Sequence, residues 1–162
     1  QSVSVQGQWI NNLDISMNAD WNLISGISHT VNVASIDDPS NLIIPNTLYA
    51  FGSSGYYASD LIEPGKGYWI RSLGEGDIYL TSNLRKENIQ TITEHLSCNY
   101  ISINSNELYF GKGISSENLL SYSLPPVPPK DAYDVRFSND MKYSSEGGIV
   151  LLQGKSEVLE LE

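Results

Sequence analysis

Apolar patterning in this chain never outlasts the length of a strand before Gly, Asn, Asp or Pro interrupts it, and that punctuation limits the fold more than any other feature. Alternating or β-branched runs fall at 2–5, 13–17, 21–25, 47–51, 67–72 and 77–81. A second series follows at 89–93, 100–103, 108–110, 133–137, 149–152 and 158–161. Between them lie the turn signals Asn18-Ala19-Asp20, Gly52-Ser53-Ser54-Gly55, Gly74-Glu75-Gly76 and Asn104-Ser105-Asn106. Short strands at this spacing predict an all-β chain of sandwich type rather than an α/β sheet. The expected organisation is two small antiparallel β-sandwich-like units, residues 1–82 and 83–162.

Helix signals are few. Ile89, Ile92 and Leu96 stand at helical spacing, but β-branched Thr91, Ile92 and Thr93 favour a strand there. Residues 115–120 read as a single helical turn, a Ser followed by Glu and Leu. Leu124-Pro125-Pro126-Val127-Pro128-Pro129 is expected to be extended, because proline fixes φ and has no N–H to give a central strand. It reads as a stiff connector, and alternatively as a ligand for a proline-reading domain.

Composition agrees with the strand reading. Charged residues make up only 17% of the 162 residues, against about 25% in a typical soluble domain. Ten Tyr stand against three Phe, and Tyr suits a half-buried pleated surface. The net charge of −10 opposes binding to nucleic acid or to anionic membrane surfaces. It is compatible with neutral glycans, cationic partners and Ca²⁺, and equally with simple solubility. No run approaches the roughly 20 apolar residues of a membrane span. Cys98, the single cysteine, allows no internal disulfide and reads as a small buried side chain. Gln1–Val5 has neither an initiator Met nor an apolar core, so either a signal peptide has been removed or the chain begins inside a longer protein.

Two phrases carry a family likeness: Ala19-Asp20-Trp21-Asn22-Leu23-Ile24-Ser25, and Leu61-Ile62-Glu63-Pro64-Gly65-Lys66-Gly67-Tyr68-Trp69-Ile70-Arg71. Between them come Ile36-Asp37-Asp38-Pro39 and Ile44-Pro45-Asn46-Thr47-Leu48-Tyr49-Ala50-Phe51. This order resembles the GWNLIS … PGKGYWI segment of secreted Bacteroidetes-like proteins, many of which end in a type IX secretion sorting domain. Asp20 stands where that segment usually has Gly. The resemblance implies export, an extracellular or cell-surface location and a place within a larger protein. Pro64-Gly65 predicts a tight turn with positive φ at the glycine, leading into a strand where Tyr68 and Trp69 take opposite faces. Trp21 and Trp69 are expected to meet in one core.

Catalytic patterns are scarce. His29 and His95 are the only histidines, no G-x-S-x-G elbow occurs, and Gly52–Gly55 has the wrong spacing for one. Neither a zinc set nor a phosphate loop can be assembled. Paired carboxylates for glycoside cleavage stay open, because their pairing is spatial. Asp37, Asp38 and Asn41 gather oxygen ligands in one loop and form a candidate Ca²⁺ site, with a self-capping polar turn as the alternative. For carbohydrate, the candidates are the aromatics Tyr56, Tyr57 and Trp9, with Asp60, Asn46 and Arg71 as hydrogen-bonding neighbours. The expected function is a non-catalytic extracellular module that binds a polysaccharide or cell-surface glycan, or mediates adhesion. The alternatives are a structural spacer between other domains of the parent chain and, more weakly, a glycoside hydrolase-like carboxylate site.

Overall fold

The computed structural model describes residues 6–82, 92–104 and 106–154. The strands expected at 2–5 and 158–161 lie outside them, as do residues 89–91 of the strand expected at 89–93. The first part of the chain forms β1 (Asn12–Met17), β2 (Asp20–Ser25), β3 (Val31–Asn32), β4 (Tyr49–Gly52), β5 (Gly55–Ala58), β6 (Leu61–Ile62), β7 (Gly67–Ser72) and β8 (Gly76–Thr81). The rest forms β9 (Asn99–Ile103), β10 (Asn106–Phe110), β11 (Asp134–Phe137), β12 (Tyr143–Ser144) and β13 (Val150–Gln153). Short 3₁₀ turns at Val33–Ser35, Glu94–Ser97 and Leu119–Tyr122 supply the only helical residues described. The chain is all-β.

Strand order explains where the core lies. β2-β7-β4-β5 form a four-stranded antiparallel sheet, while β1 pairs with β8 and β3 with β6. Period-two alternation turns Ile24, Ala50, Tyr68 and Ile70 to one face of the larger sheet. These side chains join Met17, Ile78 and Leu80 of the β1/β8 ribbon and Val31 and Ile62 of β3/β6 in one buried cluster. A second cluster gathers Ile103, Leu108, Val135 and Phe137 under β12-β10-β9 and β11-β13. One pairing departs from the antiparallel expectation: β12 runs parallel to β10, with Tyr109 opposite Tyr143.

The turns follow their residues. Gly65 takes φ +73°, and the Lys66 N–H reaches the Glu63 carbonyl at 3.4 Å, the turn expected of Pro64-Gly65. Gly52 and Gly55 close the β4–β5 hairpin around Ser53 and Ser54. Gly55 is irreplaceable for two reasons. Its φ is +92°, and a Cβ there would stand 2.6 Å from the Tyr133 carbonyl oxygen. The hairpin therefore presses its backbone directly onto the later half of the chain.

β11 is buried along its whole length. Val135 and Phe137 enter the second cluster, which turns Asp134 and Arg136 the other way. Arg136, 1% exposed, meets Asp134 through two parallel bonds, Nε to Oδ2 at 2.5 Å and Nη2 to Oδ1 at 2.9 Å. Its Nη1 donates to the Pro125 carbonyl at 2.8 Å and to Asp140 Oδ1 at 3.2 Å. Burial by itself would lower the Arg136 pKa, but the hydrogen bonds and charge of Asp134, with Asp140 behind, overcome it and raise it. The proline segment is thus bound through its carbonyls: Arg136 to Pro125, Tyr56 to Pro126 at 3.0 Å, and Gln153 to Pro128 and Pro129 at 3.2 and 2.9 Å.

Arg136→Met leaves the Asp134 charge buried and the Pro125 carbonyl unsatisfied, so urea denaturation should show a loss of about 3–5 kcal/mol. Asp140→Asn, at a carboxylate 66% exposed, should cost under about 1 kcal/mol. Gly55→Ala should cost about 2 kcal/mol or more in the same assay, through backbone strain and displacement of Tyr133.

Candidate functional site

The four-stranded sheet has a second face, and it is aromatic. The registers Trp21↔Arg71, Leu23↔Trp69, Tyr49↔Trp69 and Phe51↔Tyr56 put all seven residues on the side opposite the core cluster. Trp21 and Trp69 therefore do not meet in the core as expected. Period two commits Ile24, Tyr68 and Ile70 inward, so both indoles face outward, each half-buried. Tyr49 is buried at the centre of this face, with Trp21 edge-on at 6.0 Å and Tyr56 at 6.4 Å. Lys142 Nζ stands over its ring at 4.7 Å.

Where this face meets the later half of the chain, a groove of about 380 Å³ opens. Trp21 forms one wall. Leu119, Leu120, Leu124, Pro125, Pro126 and Met141 form the other. Asp20, Arg71, Ser123, Asn139 and Asp140 supply the polar groups. Asp20 pairs with Arg71 at 2.8 Å, and the Arg71 guanidinium flanks the Trp21 indole at 5.8 Å. Asp20 has φ +76°; Asp tolerates the left-handed region better than most residues, and here it sets a carboxylate at the groove. Asn22 holds that turn, accepting from the Asn18 N–H at 2.9 Å and donating to the Asn18 and Asp20 carbonyls at 2.8 and 3.0 Å.

The residues singled out from sequence are scattered. Arg71 alone lines the groove. Tyr56 and Tyr57 point to opposite faces of β5, so they do not form one platform. Tyr56 packs on Phe51 at 5.0 Å and donates to Pro126. Its pKa is raised by burial, against which the Trp69 indole hydrogen bond works. Tyr57 lies beside Gly52 and is 46% exposed. Asp60 is exposed and accepts the Val33 N–H through its carbonyl. Asn46 donates to the Ile92 carbonyl at 2.8 Å. Trp9 stands apart, 71% exposed, stacked on His29 with ring centroids 5.3 Å apart and planes 16° from parallel. His29 Nε2 lies 3.1 Å from Asn11 Oδ1, which fixes the imidazole under the indole.

In the candidate Ca²⁺ loop the Asp38 carboxylate serves the loop's own backbone. Asp38 accepts the N–H groups of Leu42 and Ile43 at 2.9 and 2.8 Å, Asn41 donates to the Asp38 carbonyl at 3.1 Å, and the Asp37 backbone pairs with Tyr79. Among the described residues no three His, Cys, Asp or Glu side chains are grouped to hold a metal ion. His95 is taken up by aromatics, with Tyr109 at 4.8 Å, Tyr122 at 5.9 Å and a 3.2 Å contact from Nδ1 to the Tyr122 hydroxyl. Burial raises the Cys98 pKa, and the Glu94 charge adds to it, the reverse of an activated thiolate. No helix among the described residues is long and apolar enough to cross a membrane.

No family model, curated protein or solved structure matches the chain.

Asp20→Gly should leave thermal stability unchanged or raise it by up to about 1 kcal/mol, because relief at positive φ outweighs an exposed ion pair; scanning calorimetry checks it. Tyr56, Tyr109, Tyr122 and Tyr133 all have pKa values raised, in each case chiefly by burial. A raised folded-state pKa means stability that is complete below the unfolded value of 10.0 and declines as pH rises past it. The urea midpoint should therefore hold from pH 8 to 9.5 and fall by pH 11, less steeply in Tyr122→Phe.

Proposed function

We propose that this chain is a non-catalytic carbohydrate-binding module of a larger secreted or surface protein, with its sugar site in the groove beside Trp21. One observation carries the reading: a half-buried indole faces an apolar wall across a concave space rimmed by Asp20, Arg71, Asn139 and Asp140. A pyranose has an apolar carbon face and an equatorial ring of hydroxyls, and an indole with carboxylate, amide and guanidinium neighbours complements both. The groove volume of about 380 Å³ sits at the low end for ligand pockets, a size for one or two sugar rings rather than a long polymer. Export and an extracellular location are part of the proposal, resting on the WNLIS and PGKGYWI phrases.

The hydrolase alternative is weaker. Paired-acid cleavage needs one carboxyl held protonated in an apolar setting, whereas the groove carboxylates of Asp20 and Asp140 are mostly exposed and each faces an arginine. The spacer alternative draws on the seam, where Gly55, Tyr56 and Arg136 tie the proline segment and Tyr133 into a rigid unit.

Depletion on a panel of insoluble polysaccharides, with soluble oligosaccharides as competitors, tests the reading. Retention on at least one polymer, reduced about tenfold in Trp21→Ala but kept in Tyr57→Ala, is the expected result. Loss in Trp9→Ala with retention in Trp21→Ala would move the site to the Trp9–His29 stack. Retention of nothing on the panel would leave the spacer reading in its place.

A further inference from the structure

We propose that the groove selects pyranoses whose ring hydroxyls are all equatorial, the gluco and xylo configurations, over epimers with an axial hydroxyl. The inference rests on the groove being a sugar site and adds the configuration of the sugar. Charge does not make the choice. Asp20 is matched by Arg71, and Asp140 shares Arg136 with Asp134, so each charged side chain of the lining has a counterion. Lys142 adds a cation over Tyr49 on the same aromatic face. No lining charge is left to single out an amine or an acid, which suits a neutral ring.

Selection lies instead in where the polar groups stand. Asp20, Asn139 and Asp140 are exposed at the mouth. Trp21 is one wall, and the wall across from it has its polar atoms already engaged. There the Ser123 hydroxyl donates to the Leu120 carbonyl at 2.6 Å, and the Leu124 N–H to the Asp140 carbonyl at 3.0 Å. The Pro125 carbonyl accepts from Arg136, the Pro126 carbonyl from Tyr56 and the Met141 carbonyl from the Phe137 N–H. Neither proline has an N–H. The groove thus has two apolar walls and a polar mouth. An all-equatorial pyranose matches both, since axial C–H bonds cover the two faces of its chair and hydroxyls ring its edge. Inversion at the second or fourth ring carbon, as in mannose or galactose, points one hydroxyl out of a face. In a groove of about 380 Å³, room for one or two rings, that hydroxyl meets a wall and gives up water for no partner. Turning the ring over only moves it from one wall to the other.

Calorimetric titration with the β-1,4-linked disaccharides of glucose, xylose and mannose tests this, because the three share a linkage and only mannose has its second hydroxyl axial. The proteins are the unmodified chain, two variants that put a hydrogen-bonding amide on the apolar wall, Met141→Gln and Leu120→Asn, and a control. The control, Leu23→Gln, lies on the same sheet face outside the groove lining. The expected result is glucose and xylose forms bound within about threefold of each other, and the mannose form about tenfold more weakly. That penalty should shrink to about threefold or less in at least one wall variant and persist in Leu23→Gln. Equal binding of all three, or a preference for mannose, would overturn configuration selection and leave the sugar site standing. A penalty kept in full by both wall variants would overturn it too, because the walls would not be its source. Binding of none, with no retention on the polysaccharide panel, would remove the sugar site and this inference together.

Discussion

The later half of this protein is organised around one buried guanidinium. Arg136 is the largest fully buried side chain described, and a buried charge is tolerable only when its donors are all met. Asp134, the Pro125 carbonyl and Asp140 accept four hydrogen bonds from it, so that each of its three nitrogens has a partner. Those partners come from three different stretches of chain, so satisfying one residue fixes the relative positions of β11, the proline segment and the Asn139–Met141 turn. The groove exists because these pieces are held there: its far wall is Leu124, Pro125 and Met141, each beside an Arg136 partner in sequence.

Much of the architecture was legible in the sequence, for identifiable reasons. Leu13, Ile15 and Met17 alternate with Asn12, Asp14 and Ser16, and β1 follows with the apolar residues turned inward. Pro64-Gly65 and Gly52–Gly55 turn where their φ preferences allow. Even the abundance of Asn and Asp has a geometric use, since every non-glycine residue with positive φ among those described is one or the other. What escaped were β5, whose Gly-Tyr-Tyr-Ala shows no apolar–polar alternation, the two-residue strands β3, β6 and β12, too short to show a period, and the parallel β10–β12 pairing, which depends on tertiary contact alone.

The site was far less legible. Adjacent Tyr56 and Tyr57 invite a paired-platform reading, but successive side chains along β5 point to opposite faces. Trp21 looks like core because it opens a strand, yet which face of that strand is inward depends on the register with β7. Asp140 carries no sequence signal at all. Its place at the groove comes from sharing Arg136 with Asp134, and the local sequence does not reveal that this arginine is buried against the proline segment. The one usable clue was the turn signal Asn18-Ala19-Asp20, because Asp is among the few side chains that accept the left-handed φ of +76° found there.

The proline segment has a consequence for how this chain behaves among its own copies. Four of its carbonyls are held by side chains of Arg136, Tyr56 and Gln153 rather than by a neighbouring strand, and its prolines have no N–H to offer. An extended stretch left with so few free backbone donors and acceptors is a poor template for a ladder. Crowded on a surface, neighbouring molecules would find one extended seam along which they zip together poorly, although both halves of the chain are built from strands.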